Sequence, residues 1–304
     1  MRKSTKLLVL LVLISTSSAA MAEMSVWIRK DFVNKYRRRV TFEGAFKVDH
    51  AQPSVNSIKN DGDIHVVTTC PEVGLPMVSE VMNARLVPDC VQLLQDSQGT
   101  GNLISFAGVW RLWMEHPGTS QRQFSNNVID GPVTNPDHVF EIHPLTKVGD
   151  FDLLSTIARI KDQDKEYEYH PAEKFVPYFK SQKFNVVKDG DFVKITGPKA
   201  IYNYVGFKFK KLTSEIFEVE DGYFIYASIL DKSEKVLERK VRLALVNGTA
   251  VANEIKQTAV DRVSEVMATT RISLSTVSYQ ASHKKAANRS LPYELVVLGT
   301  TSDN

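Results

Sequence analysis

The chain has only two cysteines in 304 residues, Cys70 and Cys90, too few for a zinc framework or a disulfide-stapled scaffold. After residue 22 no stretch approaches the roughly 20 consecutive apolar residues that a spanning helix needs, so no membrane span is expected. Neither sign of charge dominates. The formal charge of +3 includes Arg2, Lys3 and Lys6, which sit in an N-terminal stretch without an acid, and beyond them basic and acidic side chains balance. A nucleic-acid ligand or a polybasic membrane contact calls for a basic excess, so both are disfavoured. HExxH, GxSxG and Walker motifs are missing, and no cysteine stands in a histidine motif. The commonest hydrolase and nucleotidase signatures are thereby removed.

The residues that are present describe an ordinary globular chain, 43% hydrophobic and 24% charged, with 15 Gly and 12 Pro. Residues 1–22 join a basic start to an apolar run from Leu7 to Ile14 and end Ala20-Met21-Ala22. This is the pattern of a secretory signal with an A-x-A cleavage site, and it predicts an exported protein, periplasmic or secreted, beginning at Glu23. In an oxidising compartment Cys70 and Cys90 could close a disulfide loop of about 20 residues. Two unpaired thiols are the alternative, because spacing alone does not bring their Cα atoms within reach.

Residues 25–36 have a loose helical spacing. From Arg39 the pattern turns to strands: RVTFEGAFKV, DIHVVTTC, PMVSEVMNARLV, a short helix near PDCVQLLQ, then LISFAGVWRLWM and HVFEIHPLTKV. Five strands with one helix between the third and fourth is the order of an OB-fold barrel. A helix near Phe151–Lys161 and the charged run DQDKEYEYH follow, and the predicted domain boundary falls in that run. The second half reads as an antiparallel α+β domain, with turns at Asp189-Gly190, Asp221-Gly222 and Asn247-Gly248, a helix over TAVDRVSEVMATT, and strands RISLSTVSY and PYELVVLGT. The expected organisation is a leader at 1–22, an OB-like barrel domain over 23–150, a linker over 151–170 and a β-rich α+β domain over 171–304. No internal repeat stands out.

Three histidine-bearing motifs carry the candidate chemistry: DGDIH (61–65), GVWRLWMEHPG (108–118) and HVFEIHP (138–144). Strand periodicity places Asp63 with His65, Glu141 with His143, and Arg111 with Trp113 and Glu115. These seven are the candidate ligand-binding residues. The carboxylates and imidazoles could satisfy one another as a buried hydrogen-bonded network. They could also form a ligand surface, or hold a divalent metal through Asp63, His65, Glu141 and His143. Phe106, Trp110 and Trp113 either stack on a ligand or fill the core.

DGDIH, MVSEVMNA, GVWRLWMEH and FEIHPL together resemble an OB-like domain of bacterial proteins of unassigned function, in which a DGDxH turn precedes a strand ending E-I/L-H-P-V. The resemblance covers residues 38–148 and implies an OB-like barrel with Asp63, His65, Glu141 and His143 as its shared polar positions. It implies no reaction and no ligand. Leu145 stands where the pattern has valine, and the tryptophan-rich strand departs from its more aliphatic versions. The function expected is a non-enzymatic binding or accessory protein, without a cofactor, for a glycan or a protein partner. The alternative is a metal-dependent hydrolase or phosphodiesterase in which Arg111 steadies a phosphoryl oxygen.

Overall fold

The computed structural model describes residues 23–300 except 117, 119, 126–128, 130 and 284–288. The predicted leader lies outside the described residues. Residues 25–36, expected as one helix, divide in two. Met24–Arg29 (β1) turns Met24, Val26 and Ile28 inward in strict alternation, and only Lys30–Tyr36 (α1) is helical.

Five strands then follow: Thr41–Ala51 (β2), Ile64–Thr69 (β3), Met77–Val81 (β4), Leu103–His116 (β5) and His138–Val148 (β6). Helix Pro88–Asp96 (α2) lies between the third and fourth, opened by a proline at its start and turning Cys90, Val91 and Leu94 inward. β2 pairs antiparallel with β3 and β5, β3 with β4, and β5 with β6. Parallel pairing of β4 with β6 closes the ring. This is the connectivity of an OB barrel. Its core contains Phe42, Phe46, Ile64, Val66, Phe106 and Trp110, with Phe46 and Phe106 stacked at 4.9 Å. Phe106, Trp110 and Trp113 are buried, so the aromatic-rich strand fills space inside the protein instead of offering an open stacking face.

The second half begins with Ala172–Ser181 (α3) and a hairpin of Lys183–Asp189 (β7) and Phe192–Gly197 (β8). Then come Tyr204–Lys211 (β9), Gly222–Leu230 (β10), Val236–Val246 (β11), helix Ala250–Gln257 (α4), Val263–Ile272 (β12), helix Leu274–Ser282 (α5) and Tyr293–Thr300 (β13). β9 pairs antiparallel with β10 and β12, β10 with β11, and β12 with β13. β11 and β13 pair in parallel. The pairing scheme of the first barrel is thus repeated strand for strand, again with a helix between the third and fourth strands. The chain is mainly β, as expected, and contains two closed five-stranded barrels. A repeat not evident in the sequence is evident in the topology.

Several local expectations are corrected. Val260, Val263, Val266 and Met267 fit a helical face, but the segment from Val263 is β12, buried almost continuously from Val266 onward. RISLSTVSY divides into the end of β12 and α5, whose start is capped where Ser273 Oγ accepts from the Thr276 backbone N–H at 3.4 Å. The helix expected over Phe151–Lys161 is reduced to one tight turn at Leu154–Thr156. No disulfide forms: both cysteines are buried free thiols, Cys70 behind Gly44 of β2 and Cys90 on the inner side of α2.

A third sheet crosses the boundary expected between the halves. β1 pairs antiparallel with β8 from Met24 opposite Gly197 to Arg29 opposite Phe192, and β7 continues on the far side of β8. The N-terminal strand of the 23–150 segment therefore belongs to a sheet built largely from the second half. No helix among the described residues is long and apolar enough to cross a membrane.

Candidate functional site at the junction of the barrels

β5 and β12 are the fourth strands of the two barrels, and they pack against each other. Each carries an arginine opposite a glutamate on its barrel's fifth strand, Arg111 opposite Glu141 and Arg271 opposite Glu294. Arg111 Nε donates to the Thr270 carbonyl at 2.8 Å. Arg271 Nη1 donates to the carbonyls of Trp110 at 3.1 Å and Val40 at 2.8 Å. Each arginine thus reaches across to the residue preceding its counterpart, which ties the two barrels together by a reciprocal pair of charge-assisted bonds. Both guanidinium groups are fully buried. That of Arg271 also lies 3.7 Å from the Trp110 ring centroid, a desolvated cation–π contact.

Around Arg111 the candidate residues converge. Its Nη1 pairs with Glu141 Oε2, and its Nη2 lies 3.4 Å from Glu115 Oε2. His138 has Nδ1 2.6 Å from the Pro136 carbonyl and Nε2 3.1 Å from Glu141 Oε1. Two acceptors are satisfied together only by the doubly protonated ring. Burial opposes ionisation of Glu141, but Arg111 and His138 outweigh it and hold its carboxyl down at about 2. On the adjoining strands, His65 Nε2 stands 3.3 Å from Asp63 Oδ2 and 3.7 Å from Glu80 Oε1. Burial disfavours a charged His65, yet Glu80 and Asp63 raise it to about 10. His143 Nδ1 contacts Glu80 Oε2, and its Nε2 meets the Tyr204 hydroxyl of the second barrel at 2.5 Å.

Of the seven sequence-derived residues, Asp63, Arg111, Trp113, Glu141 and His143 are buried, whereas His65 and Glu115 keep a partly open edge. Six join one polar cluster. Trp113 instead packs edge-to-face on Phe179 of α3, with ring centroids 5.5 Å apart. Of the metal set drawn from sequence, only Asp63 and His143 converge, joined by Glu80: these three bring ligand atoms within 4.8 Å of one another, whereas Glu141 is taken by Arg111 and His138 and His65 stands beside the two carboxylates outside that group. Sequence reasoning passed over Glu80, His138 and Tyr204. β4 is buried at all five positions, so MVSEV shows no alternation to single out its glutamate.

The cluster gathers Asp61, Asp63, Glu80, Glu115 and Glu141 with Arg111 and the imidazoles of His65, His138 and His143, whose protonated forms the neighbouring carboxylates favour. Burial pushes the Asp61 carboxyl up to about 11, helped by Asp63 and Glu80. Asp63 is raised by burial and by Glu80, against the pull of His65.

The second barrel supports the junction in the same manner. Glu294 accepts from Arg271 Nε at 2.7 Å and Arg242 Nε at 2.6 Å. Asp221, in its Asp-Gly turn, accepts from the backbone N–H groups of Val40 at 3.0 Å and Thr41 at 2.7 Å as they enter β2.

A cavity of about 900 Å³ shares no residue with this cluster. It is an open groove between α1, the β7–β8 hairpin and α5. Lys30, Asn34, Asn185, Lys188, Gln280 and Ser282 supply its polar groups, over an apolar floor of Val33, Val186 and Val193.

No family model matches the chain, and no curated protein matches it.

Proposed function

We propose that this is an exported, non-enzymatic binding or accessory protein whose two OB barrels are fixed into one body by the buried cluster, and that it takes a glycan in the groove between α1, the β7–β8 hairpin and α5. One observation carries this reading: the polar row that would have made a ligand surface is buried between the barrels except at the edges of His65 and Glu115, while an open groove lies elsewhere. The second and third strands of an OB barrel commonly form its ligand face. Here those strands, β3 and β4, contribute Asp63, His65 and Glu80 to the junction instead. The groove offers amide, hydroxyl and ammonium groups above an apolar floor, the mixture that fixes a polar ligand while burying its carbon faces.

The hydrolase reading needs Arg111 free to meet a phosphoryl oxygen, but its donors already serve Thr270, Glu141 and Glu115. Binding of soluble cell-envelope oligosaccharides, followed by saturation-transfer NMR on wild type and on an Asn34→Ala/Asn185→Ala double variant, tests the proposal. The expected result is binding that the double substitution weakens at least about ten-fold, a loss of about 1.4 kcal/mol. Absence of binding to every oligosaccharide, or equal binding by both proteins, would contradict it, as would occupation of the groove by a protein partner.

A further inference from the structure

Within the junction, Asp63, Glu80 and His143 bring donor atoms within 4.8 Å of one another, and His65 Nε2 stands beside the two carboxylates. Asp63 is fully buried. Its Oδ1 accepts from Asn56 Nδ2 at 2.7 Å, whereas its Oδ2 has no hydrogen-bond partner among the described residues and faces His65 Nε2 at 3.3 Å. Glu80 lies between two imidazoles, Oε1 3.7 Å from His65 Nε2 and Oε2 against His143 Nδ1. His143 is also fully buried. Its Nδ1 makes no hydrogen bond of acceptable geometry, while its Nε2 is anchored by the Tyr204 hydroxyl. A ligating imidazole is ordinarily fixed in this way, through its other ring nitrogen.

The spacing suits a small ion. Metal–nitrogen and metal–oxygen bonds of about 2.0–2.2 Å give a tetrahedron with edges of about 3.4 Å. The distances from His65 Nε2 to Asp63 and to Glu80, 3.3 and 3.7 Å, fall on either side of that edge, whereas Glu80 and His143 touch directly and part to admit an ion.

We propose that Asp63, His65, Glu80 and His143 form a divalent transition-metal site, with zinc the best fit to a mixed imidazole–carboxylate set, that strengthens the barrel junction. Four protein ligands and two fully buried donors leave no open coordination position, so the site is structural and not catalytic. Ligands come from β3, β4 and β6, and Tyr204 extends the coordination to the second barrel. His65 keeps an edge toward solvent and provides the route of entry. The inference concerns the junction alone, so it stands or falls independently of glycan binding in the groove.

Full-length protein purified without a metal-affinity step is stripped with a chelator and titrated with Zn(II) or Co(II) alone. The expected result is one ion per chain, the intense visible absorption of tetrahedral Co(II), and a higher thermal midpoint with zinc than without it. His65→Ala, at the solvent edge of the set, should lower the affinity at least about ten-fold, and Asn56→Ala, which positions Asp63, roughly 10–100-fold. Glu115→Gln, outside the set, should bind as wild type does. Substoichiometric binding by wild type, or equal affinity in wild type and His65→Ala, would overturn the site. Should His65→Ala not fold, the wild-type stoichiometry, the Co(II) spectrum and the zinc-dependent midpoint decide alone.

Discussion

Arg111→Met should cost about 3–5 kcal/mol of folding stability, the range for removing one member of a buried ion pair. The guanidinium is fully buried and its donors all have partners: Thr270 across the junction, and Glu141 and Glu115 on its own barrel. Methionine fills much of the same volume, so the loss reports the charges left behind more than a cavity. Glu141 would keep only imidazoles as cationic partners, His138 at 3.1 Å and His143 at 4.0 Å, and the Thr270 carbonyl would lose its charged donor. An exposed pair such as Lys256–Glu218 offers the contrast, since solvent screens it and its removal should leave stability nearly unchanged. Urea denaturation of the two variants against wild type separates these outcomes, and equal small losses in both would refute the burial argument.

Glu294→Ala should be as severe, again about 3–5 kcal/mol. This carboxylate is fully buried and serves Arg271 and Arg242 together. Without it, two like charges face each other in a low-dielectric interior, and Arg271 keeps only carbonyl oxygens and the Trp110 face. Burial already draws the Arg271 guanidinium down to about 10, with Glu294 the main opposing influence. Glu294→Gln keeps the shape and one acceptor oxygen, so its loss should be distinctly smaller. A Gln variant as unstable as the Ala variant would mean that packing, not charge, holds this position.

Much of the first barrel was legible because its strands alternate. Asp63 with His65, Glu141 with His143, and Arg111 with Trp113 and Glu115 were assigned to shared faces by a period of two; the charged residues do meet in one cluster, while Trp113 packs on Phe179. The motif order alone suggested the barrel, since a short amphipathic helix between the third and fourth strands is a local feature. Four things were not legible, for separate reasons. Glu80 sits in a strand buried on both sides, where no period distinguishes one face from the other. The second barrel repeats the pairing scheme while keeping few side chains, among them the Asp-Gly before the second strand, an arginine on the fourth, and Phe140-Glu141-Ile142 against Tyr293-Glu294-Leu295. Apolar residues at 260, 263, 266 and 267 suit a helix as well as a strand, and tertiary burial decides between them. Pairing of β1 with β8 joins residues more than 160 positions apart, and nothing in either segment names its partner.

The burial of the cluster followed from its neighbours, since Phe140, Ile142 and Pro144 flank Glu141 and His143 in a strand with apolar residues on its other face. The second barrel as the covering element did not, because Tyr204 and Thr270 carry no motif. Reciprocal arginines become visible only when β5 and β12 are seen side by side.

If the junction makes the two barrels one body, they should unfold together. Differential scanning calorimetry of the intact protein is the most direct measurement. A single transition whose calorimetric enthalpy equals its van't Hoff enthalpy is the expected result. Two separable transitions, each carrying the enthalpy of one barrel and each unmoved by Arg111→Met in the other, would contradict it.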